Sequence, residues 1–245
     1  MFSNARKKIC LVTGKSLPHK AVPEPVALFP LNVTYGATEI NGRASPGNPV
    51  GVSFAPGPDG KADGSYKFEG SSNSYIRFPN NEGEALDVLY SMTMLCWLHY
   101  DKDGLIFGYT GSEKWGVIWG VYKGNLYANF KKRDYSETTA LRHTTLAGGW
   151  KFVGASYDSV SGDAKLWVNG VVVKKLNIGE GLQLATQGSV RMGFFGYNQW
   201  YLGFKGRIAQ MQLYNEALSQ GQIQTIQRIQ GTGENGTILL FPEND

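Results

Sequence analysis

The sequence predicts an all-β protein, a two-sheet antiparallel β-sandwich with one short surface helix near residues 219–230. Three observations carry this. Apolar and polar residues alternate with period two over many short segments, each bounded by Gly, Asn, Asp, Ser or Pro. Glycine occurs 32 times, with 13% aromatic and 18% charged residues among 245, which suits short strands and tight turns. The stretch from Trp150 to Val173 spells out three strands and two turns. Val153, Ala155 and Tyr157 alternate with Phe152, Gly154 and Ser156, and Asp158 to Asp163 turns the chain. Asn169-Gly170 then asks for a type I′ hairpin, because both central residues need positive φ.

Residues 1–25 are basic, proline-punctuated and without periodicity, and read as a tail or linker; residues 26–245 read as one domain. Val26 to Phe29 opens the folded part, and Pro30 begins a stretch rich in Gly, Asn and Pro, read as a loop as far as Gly64. Tyr66 to Gly70 and Ser74 to Phe78 are strands around a Ser/Asn turn. Ser91 to Tyr100 (SMTMLCWLHY) is the most apolar segment and belongs at the centre of a sheet. Leu105 to Phe107, Trp115 to Tyr122 and Leu126 to Phe130 follow at short spacing, and Ser189 to Phe195 and Gly206 to Tyr214 come after the meander. Regular short strands with turn signals between them are the pattern of a sandwich or jelly roll. In the helix, Ser219 at the N-cap and Gln222 at N3 form a capping box, with Leu218 and Ile223 at the staple positions. Ile223, Ile226 and Ile229 make an apolar stripe that can lie on a sheet. Gly231 ends the helix, and Ile238 to Phe241 offers a last edge strand.

The formal net charge of +4 suits an anionic partner such as an acidic glycan and falls short of what nucleic-acid binders carry. No apolar run is long enough to span a bilayer, so no membrane insertion is expected. Ile9 to Val12 after Arg6-Lys7-Lys8 is too short for a signal peptide, so an extracellular role implies a secreted domain or ectodomain cut from a longer chain. The sequons Asn32-Val33-Thr34 and Asn235-Gly236-Thr237 would accept glycans there. Cys10 and Cys96 leave two arrangements open, a disulfide or a free thiol packed in the apolar strand. Gly14-Lys15-Ser16 lacks the earlier glycine of a phosphate loop, Ile9 standing in its place.

Four segments, in order, resemble those of laminin G-like, concanavalin A-like (pentraxin-related) domains. Phe68-Glu-Gly-Ser-Ser-Asn-Ser-Tyr-Ile76 is similar to F-D-G-x-x-D-Y-V, and Ser91-Met-Thr-Met-Leu-Cys-Trp-Leu98 to S-F-T-x-x-x-W-V. Gly149-Trp150 through Leu166-Trp-Val-Asn-Gly170 resembles W-x-x-V-x-x-x-Y-D followed by L-Y-V-D-G. Phe204 to Ser219 resembles F-x-G-x-I-D-E-V-R-I-Y-N-R-A-L-S. The resemblance covers roughly residues 26–230 and implies a concanavalin A-like jelly roll acting outside the cell as a non-catalytic binding or adhesion module. Its partner would be a glycan or sulfated polysaccharide, or an extracellular matrix protein. The alternative within the same resemblance is a structural protein–protein interaction domain of a matrix protein or surface receptor. Many such domains hold a structural calcium ion near one rim. The family's paired acids fall here on Glu69 and Asn73, and Asp158 and Asp163 flank a turn that could contribute. Where the family has Asp-Glu in its closing segment this chain has Ala209-Gln210, which removes the carboxylates that calcium prefers.

A sugar site combines an aromatic face for the C–H side of the ring with amides and carboxylates for its hydroxyls. Two stretches offer that mixture: Trp115 and Trp119 with Tyr122, and Tyr197-Asn198-Gln199-Trp200-Tyr201. Four residues apart in a strand, the two tryptophans share a face, which is either the core or a binding surface. Basic residues gather at Lys131-Lys132-Arg133, Arg142-His143, Lys174-Lys175 and Lys205/Arg207; the first three clusters would suit a sulfated glycan if they share an edge, and lysines on exposed strands also protect strand edges. Catalysis is not expected. Laminarinase-type hydrolases of this fold carry E-x-D-x-E on one strand, whereas Glu82 to Asp87 (EGEALD) has other spacing and loop composition. His19, His99 and His143 have no Ser or Cys partner in a nucleophile motif.

Overall fold

The computed structural model describes residues 22–110, 114–144, 146, 148–197 and 200–231. Its strands are β1 Ala27–Phe29, β2 Asn48–Val50, β3 Val52–Ala55, β4 Ser65–Glu69, β5 Tyr75–Phe78, β6 Met92–Lys102, β7 Gly104–Thr110, β8 Trp115–Tyr122 and β9 Asn125–Asn129. They continue with β10 Leu141–Thr144, β11 Trp150–Tyr157, β12 Asp163–Val168, β13 Val171–Asn177, β14 Ser189–Met192, β15 Phe194–Tyr197, β16 Trp200–Gly203 and β17 Lys205–Tyr214, and helix α1 is Gln220–Gly231. An eight-stranded sheet has the order β13-β12-β11-β6-β17-β4-β3, with β1 paired to β17. A seven-stranded sheet has the order β10-β9-β8-β7-β14-β5-β2, and β15 and β16 form a separate hairpin. Two antiparallel sheets packed face to face make the β-sandwich that the alternation predicted.

The central place of β6 explains its composition. Met92, Met94, Cys96 and Leu98 enter the main core between the sheets, while Leu95 enters a second cluster on the other side of the same sheet. That second cluster exists because α1 lies there. The Ser219 backbone N–H donates to Gln222 Oε1 at 2.8 Å and the Gln222 N–H to Ser219 Oγ at 3.4 Å, the reciprocal capping box. Leu218, Ile223 and Ile226 then pack with Leu95, Phe152, Trp167 and Tyr214, each buried aliphatic side chain contributing about 1.5–3 kcal/mol. The meander folds as β11-β12-β13, with Asn169 at φ 50° and Gly170 at φ 73° in its hairpin turn.

Two features differ from the expectation. The stretch read as a loop from 36 to 64 contains β2 and β3, which are the edge strands of the two different sheets. Pro49 and Gly51 hide them from a propensity reading, yet an edge strand tolerates a proline, whose missing N–H is not needed on the open side. Gly51 is the single residue that carries the chain from one sheet to the other. Its φ is +57°, and a Cβ there would stand 2.0 Å from the Asn73 carbonyl oxygen. The other is the segment Ser189 to Phe195, which breaks at Gly193 (φ 88°) into β14 and the start of the hairpin. Cys96 is a buried free thiol, its pKa pushed well above the usual value by desolvation. Cys10 and the segment from Ile238 to Phe241 lie outside the described residues.

Candidate functional site

With α1 laid on the eight-stranded sheet, the outer face of the seven-stranded sheet is covered by no helix among the described residues. Its residues follow from the register. Ile76, Phe78, Val117, Trp119, Val121, Leu126, Ala128, Leu141, Val190 and Met192 point into the core, so the residues between them point out. One outward row runs Asn48, Arg77, Arg191, Gly108, Ile118, Asn129 across six strands. Beside it lie Tyr75, and then Gly120, Tyr127 and Arg142 in register.

Aromatic rings and guanidinium groups meet on this face. Arg142 lies 5.6 Å from the Tyr122 ring centroid and 5.5 Å from that of Tyr127, and the two rings stand edge to face at 6.3 Å. Lys123 is 5.4 Å from Tyr122. At the far side Arg191 lies 5.0 Å over Tyr75. Burial raises the Tyr127 hydroxyl pKa, so the phenol stays neutral and able to donate at any physiological pH.

The sequence-predicted tryptophans part company. Trp119 is fully buried between Phe107 and Ala128 in the register and belongs to the main core, where no ligand reaches it. Trp115 is 6% exposed and lies outside that core. Its indole N–H donates to the Gly196 carbonyl at 3.2 Å, and its ring edge closes over Gly108. Trp115 is therefore the anchor of the β15–β16 hairpin rather than a ligand contact. The structure so joins Trp115 to Gly196 of the hairpin, while Trp119 stays apart in the core. In the hairpin Tyr197 is opposite Trp200, and Tyr201 opposite Gly196; Asn198 and Gln199 lie outside the described residues. Tyr75, Arg77, Tyr127 and Arg191 were not singled out in the sequence. The signal was there, since Tyr-Ile-Arg-Phe and Ser-Val-Arg-Met each set an arginine between two apolar residues that point the other way.

The basic clusters have separate fates. Arg133 is consumed by a clamp: its Nη1 and Nη2 bond Asp87 at 2.5 and 2.9 Å, and Nη2 also reaches Glu82 at 3.0 Å. Burial opposes the Asp87 charge, but the bonds from Arg133, the Gly83 amide and Thr186 outweigh it and hold the carboxyl below the usual range. The EGEALD segment is thus a structural loop, its aspartate locked to an arginine. Lys131 pairs with Glu137 at 2.7 Å and Lys175 with Asp163 at 2.7 Å. Arg207 lies 5.1 Å over Trp150.

The candidate calcium ligands do not converge. Glu69 pairs with Lys67 at 2.8 Å, and that bond lowers its pKa. Asn73 is exposed in a turn. Asp158 accepts from the Val160 N–H at 3.0 Å and the Ser161 hydroxyl at 2.8 Å, closing its own turn. Among the described residues no group of three or more His, Cys, Asp or Glu could hold a metal. These four residues therefore do not fit calcium, which needs six to eight oxygen ligands.

The family is shown by a model described as the concanavalin A-like lectin/glucanases superfamily (laminin G type), which matches residues 69–224. The chain belongs to that superfamily. No curated protein sequence matches it. Among solved structures, the binding domain of Paraclostridial Mosquitocidal Protein 1 is similar with TM-score 0.63 and 16% identity, over 82% of this chain and 51% of that one. The Botulinum neurotoxin serotype D ligand binding domain in complex with N-acetylneuraminic acid has TM-score 0.64 and 12% identity, over 84% and 51%. The binding domain of Botulinum neurotoxin DC in complex with rat synaptotagmin II has TM-score 0.65 and 13% identity, over 84% and 51%. This chain spans about half the length of those domains, and at such identity the likeness is one of fold.

Proposed function

We propose that the domain is a non-catalytic glycan-binding module that acts outside the cell through the outer face of its seven-stranded sheet. The observation that carries this reading is the outward row of rings and guanidinium groups, from Tyr75 and Arg191 across to Tyr127 and Arg142. Rings take up the C–H faces of sugars, and side-chain donors take up their hydroxyls. The five strand spacings from β5 to β10 span about 24 Å, with Leu105 and Trp115 filling the middle over Gly108 and the two ring–guanidinium groups on either side. The hairpin held by Trp115 carries Tyr197, Trp200 and Tyr201, and two of the similar toxin domains are in complex with N-acetylneuraminic acid and with rat synaptotagmin II. Carboxylates with assigned partners, Asp87 in its clamp above all, support a non-catalytic role.

The test is an array of neutral and acidic glycans probed with the wild type, Tyr127→Ala and Trp200→Ala. Saturable binding weakened in both variants supports the reading. An array blank for the wild type sinks it and favours a protein partner, the second reading, which the synaptotagmin-bound neighbour supports.

A further inference from the structure

The same face, if the glycan-binding reading holds, carries a charge pattern that narrows the ligand. Arg77 of β5 and Arg191 of β14 stand directly opposite each other in the register, both pointing out while Ile76, Phe78, Val190 and Met192 point into the core. Like charges directly opposed across strands are destabilising. A neighbouring carboxylate is the usual relief, and among the described residues neither arginine has one. Among the described residues Arg77 donates to Ser189 Oγ alone, at 3.3 Å. Arg191 lies over the Tyr75 ring, and its Nε is buried with no hydrogen-bond partner.

On the other sheet several basic residues have an acidic neighbour: Lys67 is paired with Glu69 at 2.8 Å, Lys175 with Asp163 at 2.7 Å, and Lys205 stands opposite Glu69 in the register. The Arg77–Arg191 pair is left open, and its surroundings suit an anion. A guanidinium stacked on a ring keeps its in-plane N–H donors free for a planar or tetrahedral oxyanion. Asn48, exposed and in register with Arg77, adds an amide. On the other flank Gly108 sits opposite Arg191, under the side chains of Leu105 and Trp115.

We propose that Arg77 and Arg191 seat an oxyanion carried by the bound glycan, a carboxylate or a sulfate, so that this domain selects acidic over neutral saccharides. The charge arrangement argues for it: an anion between the two guanidinium groups removes the repulsion between like charges that the register sets opposite each other.

The experiment uses the whole chain and four probes: sialyllactose for a carboxylate, a heparin oligosaccharide for a sulfate, neutral lactose, and phosphatidylserine vesicles. Arg77→Gln and Arg191→Gln are compared with the wild type, with Arg77→Lys and Arg191→Lys as variants that keep the charge, and thermal melts confirm folding. The expected result is preference for one or both acidic saccharides, weakened about tenfold or more in each Gln variant, only partly restored by Lys, and reduced by salt. Which acidic probe binds tells carboxylate from sulfate. Equal binding of acidic and neutral saccharides, unchanged by the Gln variants, overturns the oxyanion seat while leaving glycan binding intact. No binding of any saccharide overturns both readings, and binding of vesicles alone overturns the glycan as carrier of the anion.

Discussion

Removing Arg133 should be the most damaging single change outside the core. In the Arg133→Met variant the Asp87 carboxylate, whose side chain is 6% exposed, loses both bonds of a bidentate pair whose arginine is itself only 19% exposed. Breaking a buried pair from one side costs about 3–5 kcal/mol. Asp87 keeps the Thr186 hydroxyl at 2.8 Å and the Gly83 amide at 2.9 Å, so the expected loss is about 3 kcal/mol, near the lower end. For a domain of this size that lowers the melting temperature by about 6–12 °C. Urea denaturation of the wild type, Arg133→Met, Asp87→Asn and the double variant closes a cycle, and the double variant should lose less than the two singles together. The acid limb offers a second readout. Because the folded-state pKa of Asp87 is depressed, its contribution is present above the unfolded value near 3.9 and is lost as pH falls through the lower folded value. Stability should therefore fall more steeply below about pH 4 in the wild type than in Asp87→Asn. A loss under about 1 kcal/mol in Arg133→Met, or additive single variants, would refute the clamp as a buried coupled pair.

Gly51→Ala forces a Cβ toward the Asn73 carbonyl at a positive φ and should cost about 2 kcal/mol or more, read by thermal melting; a neutral result would mean that the crossing between sheets relaxes freely. Trp119→Ala should cost about 3–5 kcal/mol as a core truncation, whereas Trp115→Phe removes one hydrogen bond to Gly196 and should cost about 1 kcal/mol. The same Trp115→Phe change should speed amide exchange in the 194–203 hairpin, and unchanged exchange there would argue against its anchoring role. Ser219→Ala removes half of the capping box and should destabilise by about 1 kcal/mol, a loss that Ser219→Asp largely avoids because aspartate also caps.

Much of the fold was legible because it is local. The alternation in Phe152 to Tyr157, the Asn169-Gly170 turn and the Ser219/Gln222 box each depend on residues a few positions apart, and each formed as its chemistry requires. The apolar character of Ser91 to Tyr100 likewise announced a strand covered on both sides, since Met94 and Cys96 face one layer and Leu95 another. The edge strands at Asn48–Val50 and Val52–Ala55 were not legible, because proline and glycine are tolerated there only by virtue of the open edge, and an edge is a property of the assembled sheet.

The site divides in the same way. That Arg77 and Arg191 point away from the core could be read from their apolar neighbours, and so could the aromatic richness of Tyr197 to Tyr201. That residues more than a hundred positions apart stand directly opposite each other is a matter of register, decided by how β14 is inserted between β5 and β7. Trp115 and Trp119 show the limit most plainly. Identical in type and four residues apart, one fills the core and the other braces a hairpin, because the β7–β8 pairing shifts register between Gly108 and Thr110. Local sequence determined which segments became strands, turns and helix; only the packing of the sheets decided which outward face took the helix and which residues came to stand side by side on the other.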